Sequence, residues 1–174
     1  EYPVQVLCRF HPNDTFDRYK KYNGNKNITF YIPNKNYDLG GWKTDETGLK
    51  CLISTLKYSD VLINIASTVT IEACFFDTPV INMAFSTSEP ERFKERILIT
   101  HHQQHYEYIL NLNGVRLAHT EEEFIKYINE YLRNPEIDRD GRMRIKNKML
   151  NKPDGKASER VADFIIAFLG SIRK

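Results

Sequence analysis

Cysteine is scarce, and the little present forms no pattern. Cys8, Cys51 and Cys74 each sit in or beside apolar residues, and no CxxC pair occurs. Three scattered cysteines do not make a disulfide framework. Buried, reduced thiols are expected, which favours a cytoplasmic setting. No apolar run approaches the roughly 18 residues that a membrane-spanning helix needs. Charge of one sign is lacking too: 25 Lys and Arg stand against 23 Asp and Glu, a formal net of +2. That balance builds no basic field, so no nucleic-acid partner is expected. GxGxxG and GxxxxGKS/T are both missing. A nicotinamide dehydrogenase and a P-loop NTPase are therefore unsupported.

What is there alternates. The 174 residues suit a single domain, 1–174, with a real core. Glu1-Tyr2-Pro3 enters a strand at once without a Met, so the sequence reads as a segment of a longer protein. Strand-like runs fall at Val4–Phe10, Ile28–Ile32, Val61–Ile65, Val80–Ala84 and Val115–Ala118. Helical patterns fall at Thr15–Tyr22, Asp45–Tyr58, Thr68–Phe76, His101–Asn111, Glu121–Leu132, Arg139–Met149 and Gly155–Ile172. Glu91–Ile99 is ambiguous, and Pro33–Thr44 reads as loop.

Strands alternating with helices imply an α/β fold. The expected form is a Rossmann-like, doubly wound parallel sheet of about five strands, with helices on both faces and further C-terminal helices. The expected strand order, numbered along the chain, is 2-1-3-4-5. Ligands in such sheets bind beyond the carboxyl ends of the strands, where the order reverses. That sets His11-Pro12-Asn13-Asp14 opposite Ala66-Ser67-Thr68.

Asp60–Ile81, reading DVLINIASTVTIEACFFDTPVI, is the most informative stretch. A strand that feeds a helix through small hydroxyl residues suits a phosphate. The helix N-terminus offers free N–H groups and a positive dipole end, and Ser67 and Thr68 offer hydroxyls. Ordinary N-capping explains the same two residues, and the two uses are compatible. Glu72 lies one turn past Thr68 on the same face, placed for ribose hydroxyls. An acidic first-turn residue also simply favours the dipole.

His11 suits charge on a departing phosphate, or it is a turn residue restrained by Pro12. Arg9 is either a second phosphate partner or a charge at the edge of the core. Trp42, the only tryptophan, stacks on a base or anchors core. His101, His102 and His105 share helical spacings, but no carboxylate or cysteine completes a ligand set, so no metal is expected. The functional alternative is His105 or Tyr106 directed into the cleft.

Four short motifs stand in order. They are Arg9-Phe10-His11-Pro12 after a strand, Ser67-Thr68 after a later strand, Glu72-Ala73 followed by Pro79-Val80-Ile81, and Asp154-Gly155-Lys156-Ala157-Ser158-Glu159-Arg160-Val161. In this order they resemble the C-terminal, nucleotide-binding half of GT-B-fold glycosyltransferases. More narrowly, they are similar to bacterial capsular polysialyltransferases and CDP-glycerol glycerophosphotransferases, with Thr68 in place of a second Ser. The resemblance implies a transferase of surface-polysaccharide or glycan biosynthesis. Its substrate would be a nucleotide-sugar or CDP-linked donor, with no further cofactor. The glycan acceptor would be held by an N-terminal domain outside this sequence, and the full-length protein would associate peripherally with a membrane.

In that reading His11 is catalytic, Ser67 and Thr68 hold the leaving phosphate, Glu72 holds ribose, and the loop around Trp42 shapes the base site. The isolated domain would bind nucleotide weakly and catalyse little. The rival readings are a UDP-sugar 2-epimerase-like domain and a non-catalytic protein-binding domain.

Overall fold

The computed structural model describes residues 3–11, 14–32, 36–38, 41–43, 45–87, 90–101 and 103–172, with backbone alone at 36–38, 41–43, 90, 92 and 97–99. The chain opens with β1 (Val6–Arg9), a 3₁₀ helix (Phe16–Tyr22), β2 (Ile28–Tyr31), β3 (Asn36–Asp38) and β4 (Gly41–Lys43). Then come α1 (Glu46–Tyr58), β5 (Leu62–Asn64), α2 (Val69–Phe75) and β6 (Val80–Met83). It closes with α3 (Pro90–His101), α4 (Gln104–Leu110), β7 (Arg116–Ala118), α5 (Glu121–Arg133), α6 (Arg139–Met149) and α7 (Ala157–Ile172). The architecture is α/β. No helix among the described residues is long and apolar enough to cross a membrane.

The parallel strands form two small sheets, not one of five. β1 pairs with β2 in parallel, and β5-β6-β7 form a parallel three-stranded sheet. Within each sheet the neighbours are those expected. The joint between β1 and β5 is not made among the described residues. Val6 on β1 and Ile63 on β5 stay 50% and 42% exposed. Each sheet instead carries its own apolar packing.

For the first sheet that packing is aromatic. Phe10 stacks on Phe30 at 5.7 Å, and Phe16 and Tyr19 close on the pair. The segment around Phe16 forms a 3₁₀ helix where an ordinary short helix was expected. Three residues per turn bring Phe16 and Tyr19 to the same side, over Phe30.

The second sheet is covered on both faces, as a parallel sheet requires. Val80 joins Leu56, Ala73, Cys74, Tyr106, Ile109 and Ile145 in one fully buried cluster. Ile81, the next residue, points the other way and meets Ala118 and Tyr131. Helices α1, α2, α4 and α6 therefore cover one face, and α5 covers the other.

Two further expectations are corrected. The segment read as loop contains a hairpin: β3 and β4 pair antiparallel, with Tyr37 in register with Trp42. The helix expected over His101–Asn111 is two elements. His101 ends α3, which takes in the ambiguous segment, and α4 begins at Gln104. With the helix broken there, His101 and Tyr106 are both buried.

Candidate functional site

At the carboxyl end of the second sheet, two asparagines stand side by side. Asn64 ends β5 and is in register with Asn82 of β6. Asn82 Nδ2 donates to Asn64 Oδ1 at 2.5 Å, and Asn64 Nδ2 donates to Thr70 Oγ1 at 3.1 Å. Tyr106 of α4 donates its hydroxyl to Asn82 Oδ1 at 2.8 Å. The Thr70 and Tyr106 hydroxyls lie 3.0 Å apart. Since the phenol proton goes to Asn82, Thr70 donates and the Tyr106 oxygen accepts. The four side chains form a closed ring in which each amide or hydroxyl donor has an acceptor. Buried polar groups are stable only when satisfied in this way.

The ring grips the turn between β5 and α2. Burial dominates and raises the pKa of Tyr106, against the bond donated by Thr70 and the Ser67 backbone, which favour the ionised phenol. His101 sets Nε2 2.7 Å from the Ile65 carbonyl oxygen and its ring edge-on to Tyr106 at 5.8 Å. Helices α3 and α4 therefore clamp the turn from outside the strand–helix unit.

The turn is less open to a phosphate than its sequence suggests. Ser67 Oγ accepts from Val69 N at 3.4 Å, Ser67 O accepts from Thr70 N, and Thr68 O accepts from Ile71 N. The first amides of α2 are thus engaged locally. Thr68 is the N-cap but makes no capping bond with its side chain. Its hydroxyl makes no hydrogen bond among the described residues, and the residue is exposed.

Glu72 stands one turn on. It is exposed and makes no hydrogen bond or ion pair among the described residues, while partial desolvation pushes its carboxyl above the usual range.

The other expected residues lie apart from this group. Arg9 lays its guanidinium over the Tyr31 ring at 4.4 Å and donates to the Gly48 carbonyl and Cys51 Sγ, at 3.4 and 3.7 Å. That is the edge-of-core role. His11 is exposed, and its carbonyl accepts from Asp14 N at 2.8 Å. No hydrogen bond among the described residues crosses from His11 to Ser67, Thr68 or Glu72. Pro12 and His102 lie outside the described residues, as does the Trp42 side chain on which base stacking depends. His105 is exposed on α4, while its neighbour Tyr106 is buried. No group of three or more His, Cys, Asp or Glu suited to a metal occurs among the described residues.

Asn64, Thr70 and Asn82 were not singled out from the sequence. The signal was present: an asparagine at the third position of two otherwise apolar strands, LIN and VIN. A shallow cleft lined by Asn113, Glu136, Asp138 and Gly141 lies at the amino end of β7, the opposite end of the strands from Ser67. No family model, no curated protein and no solved structure matches the chain.

Proposed function

We propose that the chain is the nucleotide-donor-binding domain of a glycosyl- or polyol-phosphate transferase. The observation that carries this reading is Glu72, an exposed carboxylate with no hydrogen bond or ion pair among the described residues, one helical turn past Thr68 at the carboxyl end of β5. A pair of ribose hydroxyls is a chemically apt partner for it, and the hydroxyls of Ser67 and Thr68 suit the adjoining phosphates. The clamp from His101 and Tyr106 holds the turn rigid, which lowers the entropy lost on binding.

In this reading Arg9 holds the first sheet to α1, and His11 reaches the donor only when the two sheets and the acceptor domain are brought together. The full enzyme transfers its group to a growing glycan; the domain alone binds and does not turn over. Calorimetric titration of the folded chain with CMP, CDP, UDP and GDP tests it. Binding of one of them, weakened by Glu72→Gln, is expected. Absence of heat with all four overturns the proposal.

A further inference from the structure

Helix α7 carries a large apolar surface that the described residues leave uncovered. Val161, Phe164, Ile165, Ile166, Phe168, Leu169 and Ile172 are all at least half exposed. At about 100° per residue, all but Ile166 fall in one stripe roughly 140° wide. Phe164 and Phe168 stack along it, with ring centroids 6.3 Å apart and planes 11° from parallel.

The stripe holds no charge. The charges of the helix, Glu159, Arg160 and Asp163, lie on the opposite side with Ile166. Arg160 is already committed, donating to both carboxylate oxygens of Asp154 at 3.0 Å and to the Lys152 carbonyl at 3.2 Å. Within Ala157–Ile172 the polar face holds two acids and one engaged arginine, a poor match to an anionic membrane surface, which selects helices with free Lys and Arg along that face. An uncharged partner face is required instead.

We propose that the stripe is covered by the same stripe of a second copy, with the two α7 helices antiparallel about a twofold axis. Val161, Ile165, Phe168 and Ile172 follow the alternating four- and three-residue spacing of a helix–helix seam. Antiparallel pairing sets Val161 against Ile172 and Ile165 against Phe168 of the other copy, so each aromatic ring meets a branched aliphatic side chain. Such an interface is self-complementary, as a twofold contact demands. At roughly 100 Å² of exposed side chain apiece, the six stripe residues offer about 600 Å² per copy, the lower end of a specific stable interface.

Sedimentation velocity of the folded chain across roughly 1–100 µM covers the range in which an interface of this size associates. A monomer–dimer equilibrium is expected. Phe164→Asp with Phe168→Asp should weaken it at least roughly tenfold, as loss of central aromatic anchors does, while circular dichroism keeps the helical signal. Should that double variant misfold, Leu169→Asp serves in its place. Ile166→Asp, off the stripe, should leave the dimer intact.

A monomer throughout the range overturns the proposal. So does a dimer unaffected by the stripe variants, or one lost equally in Ile166→Asp. A monomer that co-sediments with phosphatidylcholine–phosphatidylserine vesicles, and is released by Phe164→Asp with Phe168→Asp, overturns it in favour of a lipid surface.

Discussion

Gly141 and Asn113 approach so closely that a methyl on Gly141 would lie 1.7 Å from the Asn113 carbonyl oxygen. Gly114, the next residue, is equally confined: a methyl there would fall 2.4 Å from the Gly141 carbonyl carbon. Backbone meets backbone where α6 crosses the turn into β7, and no flexible side chain can yield. Gly141→Ala should cost about 1–3 kcal/mol or more, the range for overpacking a filled site. Gly24 has φ +85 and nothing within 4 Å. Gly24→Ala should therefore lose only about 1–2 kcal/mol of left-handed strain. Urea midpoints of the two variants give the comparison.

Arg142 is the buried counterpart of that crossing. Its side chain is 0% exposed; Nε donates to Asp77 at 2.9 Å, and Nη1 and Nη2 donate to the Ile137 and Pro135 carbonyls, both at 2.7 Å. Arg142→Ala should cost about 3–5 kcal/mol, because it strands three acceptors at once. Asp77→Asn should cost less. Asn tolerates the left-handed backbone at φ 63, and Asp77 is 30% exposed and so partly solvated. Equal losses in chemical denaturation would contradict this ordering.

Tyr106→Phe removes one hydroxyl that serves Thr70, Asn82 and the Ser67 turn. Leaving buried donors and acceptors unmatched should cost about 1–3 kcal/mol. It should also loosen the turn, and with it lower the affinity for nucleotide that the proposed function expects. His105→Ala, on the outer side of the same helix, should change neither quantity. Thermal unfolding and calorimetry separate the two effects.

Glu72 predicts a pH dependence of definite sign. Desolvation raises its carboxyl above 4.5, so the folded state holds the proton more tightly than the unfolded chain. The associated stability is full below 4.5 and is lost as pH rises through the raised value. Glu72→Gln removes that slope and leaves the protein slightly more stable at neutral pH. It should lower nucleotide affinity roughly tenfold or more, the worth of a charge-assisted hydrogen bond. Stability curves from pH 4 to 7 for both proteins, near the ordinary carboxylate range, check the sign.

Much of the fold was legible because periodicity reports burial. The alternation that puts Val80 and Ile81 on opposite faces is written in the strand, and the helix expected from Glu121 does begin there, capped by Thr120, which accepts from Glu123 N at 3.2 Å. What stayed hidden depended on partners distant in sequence. Asp77 and Asp138 both take left-handed backbone, at φ 63 and 62, where glycine or asparagine is the usual cue. Their carboxylates are held by arginines of other elements, Asp77 by Arg142 and Asp138 by Arg116 at 2.7 Å. Local propensity cannot register such a pairing. The histidines failed as a group for a similar reason. Their spacing implied one helix face, but His101 ends one helix and His105 lies in the next, so that His101 is buried and His105 exposed.

The paired asparagines also act as a check on assembly. A parallel strand whose two faces are both apolar has little in its side chains to forbid a slip along its neighbour. Moving β5 one residue against β6 would turn Asn64 into the apolar layer beside Ile81 and strand the hydroxyls of Thr70 and Tyr106. Misaligned strands are thereby penalised by several unmatched polar groups at once. A two-residue amide ladder proofreads the sheet as it forms, and it does so at the end where the turn must be placed correctly.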